Sequence, residues 1–76
     1  MDDLQDVFRT VFRLSPEFDL RDSMSFADVP GWDSVGHMNL INELERRYSL
    51  NLELTTIAGI NSVRDVRTIL ARRKRP

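Results

Sequence analysis

Apolar residues recur at helical spacing in three stretches of this chain, and one long segment rich in proline, glycine, serine and aspartate parts the first from the rest. In segment 2–14, Leu4, Val7, Phe8, Val11 and Phe12 fall at i, i+3, i+4, i+7 and i+8, one face of a helix. Asp2, Asp3 and Asp6 crowd its start, where the helix dipole favours negative charge. Ser15-Pro16 is expected to stop it, because proline disfavours helical geometry in the residue before it. A second helix is predicted over 34–48, with Asp33 as N-cap and a core face of His37, Leu40, Ile41, Leu44 and Tyr48. Thr55 to Ile60 has room for a turn or so of helix, with Gly59 at its end. Ser62-Val63-Arg64-Asp65 has the form of a capping box. It opens a last helix with Val63, Val66, Ile69 and Leu70 inward. Leu50 to Leu54 has strand-like composition but no second strand to pair with. The expected fold is all-α: three substantial helices and a short third one around a single aliphatic and phenylalanine core.

The connection over 15–33 is the unusual part. A link this long in a 76-residue chain is usually functional. Within it, Ser25-Phe26-Ala27-Asp28 fits a short capped turn, which would send Phe26 and Val29 into the core.

Composition narrows the chemistry. With no cysteine, disulfides, thiolate nucleophiles and cysteine-type zinc sites are excluded. One histidine, His37, excludes a multi-histidine metal site, and no metal is expected. Residues 1–33 carry a formal charge of −5 and residues 34–76 one of +4. Four of the cations are Arg72-Arg73-Lys74-Arg75, which suit a helix C-terminus. The competing reading of that tail is contact with an acidic partner or nucleic acid, for which four terminal charges are a small footprint. No apolar run approaches the roughly 20 residues needed to span a bilayer. Met1-Asp2-Asp3-Leu4 lacks the basic start of a signal peptide, so a cytoplasmic protein is expected.

The most informative spot is Gly31-Trp32-Asp33-Ser34. With Ser34 at the origin of a helical wheel, Leu40, Ile41, Leu44 and Tyr48 cluster between about 240° and 340°. Val35 and Met38 fall at about 100° and 40°, pointing away from that stripe. Two outward apolar residues beside a serine, at the end of a long loop, read as a small docking patch. Ser34 has three readings. It is an ordinary first-turn residue, a nucleophile, or a residue modified by another enzyme. A nucleophile needs a base within hydrogen-bond reach. The one histidine lies on or beside the core stripe, as a partly buried packing residue. A phosphodiester on Ser34 would instead sit at a helix N-terminus, where free N–H groups and the dipole favour an anion.

Gly31-Trp32-Asp33-Ser34-Val35 resembles the Gly-x-Asp-Ser-Leu attachment motif of acyl carrier proteins and peptidyl carrier domains. Ser25 to Val29 looks like the stretch upstream of that motif. Leu40-Ile41, Leu44-Glu45 and Tyr48 are similar to the second helix of these proteins, and Ile60 to Val66 to the approach to their last helix. The likeness covers nearly the whole chain, whose length suits a stand-alone carrier domain spanning 1–76. It implies a four-helix bundle of acyl-carrier type, with a long first loop and a short third helix. It also implies a non-catalytic carrier, with 4′-phosphopantetheine transferred from coenzyme A to Ser34 by a phosphopantetheinyl transferase. The thiol of that arm would hold an acyl or aminoacyl group as a thioester. Such carriers meet a loading enzyme and downstream transferases or synthases through the second helix. The matched positions are Asp33, Ser34, Val35 and Met38, with Glu45 a further candidate. A monomer is expected, with no membrane span and no nucleic acid. Pro30 adds a residue before Gly31, Val35 replaces the usual leucine or methionine, and Gly36 and Asn39 stand where fatty-acid carriers often have acids. Arg46 and Arg47 further reduce the acidity of this helix. The run from Trp32 to His37 looks more like carriers of secondary-metabolite, glycan or aminoacyl pathways. The alternative is a helical protein- or nucleic-acid-interaction module that uses the basic tail.

Overall fold

A computed structural model describes residues 3–73 of the chain; Met1, Asp2 and Lys74 to Pro76 lie outside the described residues. Four helices follow in order: α1 (Asp3–Phe12), α2 (Ser34–Tyr48), α3 (Leu54–Ala58) and α4 (Val63–Arg73). The described residues form no strand; their one β-type pairing is an isolated antiparallel bridge between Ser25 and Ser62. Segment 50–53 is irregular, in line with its lack of a partner strand.

The three apolar stripes meet as their spacing requires. Leu4, Val7 and Phe8 of α1, Leu40, Ile41 and Leu44 of α2, and Val63, Val66 and Leu70 of α4 are all buried. Val11, Phe12 and Ile69 are half-buried against them, as are Tyr48 and Ile57. Three further buried residues, Leu20, Val29 and Trp32, come from the long first loop.

That loop is pinned at several points. The first backbone donors of α4, which no helical carbonyl can satisfy, go to it: Val63 N–H to Met24 O at 2.9 Å and Arg64 N–H to Asp22 O at 2.9 Å. From the other side, the Arg9 guanidinium of α1 donates to Ser15 O at 3.0 Å and Phe18 O at 2.9 Å. The loop therefore forms one wall of the bundle.

Several local expectations need correction. α1 ends at Phe12, before Ser15-Pro16, because Arg13 turns into the left-handed region (φ 51°) and Leu14 N–H returns to Arg9 O. Gly59 caps α3 in the right-handed region (φ −83°), so it supplies no left-handed turn there. At α4, Asp65 N–H does donate to Ser62 Oγ at 3.3 Å, but the Asp65 carboxylate reaches back to Asn61 N–H at 2.8 Å, one residue earlier than a capping box predicts. The Ser25–Asp28 turn forms, with Asp28 accepting from Ser25 N–H at 3.0 Å. It sends only Val29 inward. Phe26 remains 37% exposed.

Candidate functional site

α2 begins at Ser34 because Asp33 caps it. The Asp33 backbone is extended (φ −114°, ψ −165°), and its carboxylate accepts from Gly36 N–H at 2.8 Å. Its carbonyl accepts the first helical bond, from His37 N–H at 2.7 Å. An N-cap aspartate satisfies a donor that the helix leaves orphaned. The approach turn is set by Gly31, at φ +86°, whose carbonyl accepts from Asp33 N–H at 3.0 Å. Ser34 is thereby exposed as the first residue of the helix.

Trp32, the single tryptophan, carries more of this arrangement than sequence reasoning assigned to it. It is 3% exposed and packs edge-on to Phe8, with ring centroids 5.3 Å apart. Its other ring neighbours are Phe26 at 4.6 Å, His37 at 6.1 Å and Phe12 at 6.2 Å. One indole thus joins the core to the surface beside Ser34. The available signal was the placement of the bulkiest side chain directly before Asp33-Ser34. Apolar spacing misses it because it lies outside any helix.

The Trp32 indole N–H donates to His37 Nδ1 at 2.9 Å. Indole nitrogen is a donor only, so Nδ1 is the acceptor and the imidazole proton sits on Nε2. Nε2 then donates to Ile57 O of α3, at 3.2 Å. His37 is a half-buried strut between loop, α2 and α3. With both ring nitrogens engaged, it has no lone pair to offer Ser34, and the serine-nucleophile reading loses its base.

Phe26, Trp32, Asp33, Ser34, His37 and Met38 line an open cleft of about 560 Å³. Val35 (72% exposed) and Met38 (46%) flank Ser34 on the outer face, as the wheel requires. Leu54, at the start of α3, is a further exposed apolar residue that helical spacing did not single out. Glu45 is half-buried, and its carboxylate accepts from Leu52 N–H at 2.9 Å, so it braces the link between α2 and α3. Arg46 pairs with Glu43 at 2.7 Å, while Arg47 pairs with both Glu43 at 2.9 Å and Asp6 at 2.7 Å. These cations are neutralised within the chain. Of the basic tail, Arg72 is exposed; Lys74 and Arg75 lie outside the described residues. Among the described residues, no group of acids and histidine could hold a metal ion, and no helix is long and apolar enough to cross a membrane.

A solved structure from Mycobacterium tuberculosis, provisionally described as an acyl carrier protein, is similar to this chain with a TM-score of 0.81. The match covers 91% of this chain and 90% of that one at 23% identity, a likeness of fold. No curated protein matches the chain. Residues 2–70 match the family described as the phosphopantetheine attachment site. An exposed serine hydroxyl opening a helix beside a cleft is a fitting place for such a group. The chain belongs to this family of phosphopantetheine-binding carrier domains, which hold covalent 4′-phosphopantetheine and are not themselves enzymes.

Proposed function

We propose that Ser34 is the attachment residue, and that the chain carries an acyl or aminoacyl group as a thioester on the arm it bears. The observation that carries this reading is the exposed Ser34 hydroxyl at the first position of α2, behind the Asp33 cap and within the matched family range. Its Oγ attacks the phosphorus of coenzyme A that bears the pantetheine. The new O–P bond replaces the bridge to the second phosphate, adenosine 3′,5′-bisphosphate leaves, and the serine proton passes to a base on the transferase. The product phosphodiester lies where the dipole of α2 stabilises an anion, by about 0.3–1 kcal/mol when exposed.

The thiol absent from the sequence is in this reading supplied by the arm. Val35 and Met38, with Asp33, form the contact for a phosphopantetheinyl transferase, for a loading enzyme and for downstream transferases or synthases. Glu45 lies further along α2 and contributes less, since it already braces Leu52. The shortage of acids near Ser34, with Gly36 buried and Asn39 neutral, favours partners outside fatty-acid synthesis. We place the protein in the cytoplasm, acting as a single monomeric carrier domain.

The test is intact mass. Incubation with coenzyme A and a broad-specificity phosphopantetheinyl transferase should add one phosphopantetheine. Ser34→Ala should abolish the gain. A gain that survives the substitution places the arm elsewhere.

A further inference from the structure

The cleft beside Ser34 has a definite chemical character. Its floor is aromatic: Trp32 lies beneath Phe26, and the His37 ring lies 5.2 Å from Phe26. The floor is also closed. The hydrogen bonds from Trp32 to His37 and from His37 to Ile57 tie loop, α2 and α3 together under it. Further along α2, Leu40 and Ile41 are 0% and 1% exposed in the core. Phe26 and Met38 form apolar walls, each left partly exposed by the fold. At about 560 Å³ the cleft is within the size range of small-molecule sites.

We infer that this cleft docks the pantoyl half of the phosphopantetheine arm, an inference that rests on Ser34 being the attachment residue. The tether supports it: Ser34 lines the cleft, so whatever leaves its Oγ starts at the rim. Chemistry supports it too. A few bonds beyond the serine oxygen, the arm carries a carbon with two methyl groups, its most compact apolar part. Two methyls against an aromatic ring and a thioether bury apolar surface on both sides. The hydroxyl and amide N–H groups that follow are donors, and the Asp33 carboxylate on the cleft wall is an acceptor. The thiol end and its cargo extend beyond the cleft. Docking thus fixes the direction in which the arm leaves the protein and is indifferent to the group carried.

The experiment is NMR on the loaded protein, prepared from coenzyme A labelled with ¹³C in the pantoyl methyls. Mass spectrometry first establishes loading. The expected result is an upfield displacement of the methyl signals relative to free coenzyme A, with cross-relaxation to the Phe26 ring and the Met38 methyl. Phe26→Ala, at a partly exposed position, should reduce that displacement by more than half. Met38→Ala is the second variant and should weaken the same contacts. A loaded protein whose methyls keep their free-coenzyme positions and show no contacts overturns the docking and leaves the Ser34 assignment standing. Failure of loading overturns both.

Discussion

Gly36 sits buried in the first turn of α2, and a methyl group there would lie 2.0 Å from the Gly31 carbonyl oxygen and 2.9 Å from Phe12 Cε1. A backbone oxygen cannot move aside as the tip of a flexible side chain can. The positive φ of Gly31 sets the turn that places this oxygen. The two glycines are therefore a matched pair, and a side chain at position 36 has no room here. Gly36→Ala should destabilise the fold by about 1–3 kcal/mol through overpacking. Gly59 is the contrast. Its φ is negative, and an added methyl would meet only carbonyl oxygens at 3.6 Å, an ordinary contact. Gly59→Ala should be neutral or stabilising by up to about 1 kcal/mol, because it restricts the unfolded chain. Urea unfolding of the two variants checks the ranking. Helical spacing shows neither result, since both depend on which backbone atom approaches the Cα from outside.

Within α2, burial and exposure divide cleanly around the helix. Leu40, Ile41 and Leu44 face α1 and the rest of the core at 0–1% exposure, whereas Val35 and Met38 face outward. Leu40→Ala should cost about 2–5 kcal/mol, the usual range for a buried leucine. Val35→Asp and Met38→Asp should leave stability within about 0.5 kcal/mol of the parent and slow loading by the transferase. Thermal unfolding and the rate of mass gain separate the two classes. A large loss of stability in Val35→Asp would show that this residue packs inside. This division was legible in the sequence because a helix repeats every 3.6 residues and its neighbours need not be known. The long first loop has no such period. Its placement of Phe26 depends on Trp32 filling the space beneath, and the wheel has no place for a residue before the helix begins.

At the scale of the whole molecule, the pairing of α1 with α2 couples the fold to pH. Arg47 of α2 reaches Asp6 of α1, and Glu43 receives both Arg46 and Arg47. The hydrogen bond from Arg46, reinforced by Arg47, holds the Glu43 carboxyl below the usual glutamate range, against a smaller opposing effect of burial. Asp6 first, then Glu43, raises Arg47 above its ordinary value. A carboxyl whose folded pKa is depressed adds stability above its unfolded pKa, about 4.3 for glutamate. That contribution is lost as pH falls from there through the lower folded value. Melting temperature should therefore fall more steeply in acid for the parent than for Glu43→Gln, and the two curves should converge at the acid end. Parallel curves would show that Glu43 contributes nothing through its charge. By itself the sequence determined the all-α class, the helix limits of α2, the apolar stripes and the motif around Ser34, because each rests on neighbours a few positions apart. Tertiary structure alone decided that Trp32 joins core to surface, that His37 is spent on a strut, that Glu45 braces Leu52, and that Phe26 stands at the rim of a cleft. These features cross irregular links, seven residues apart for Glu45 and Leu52 and twenty for His37 and Ile57, or turn on how the long loop packs, where no repeating pattern fixes who meets whom.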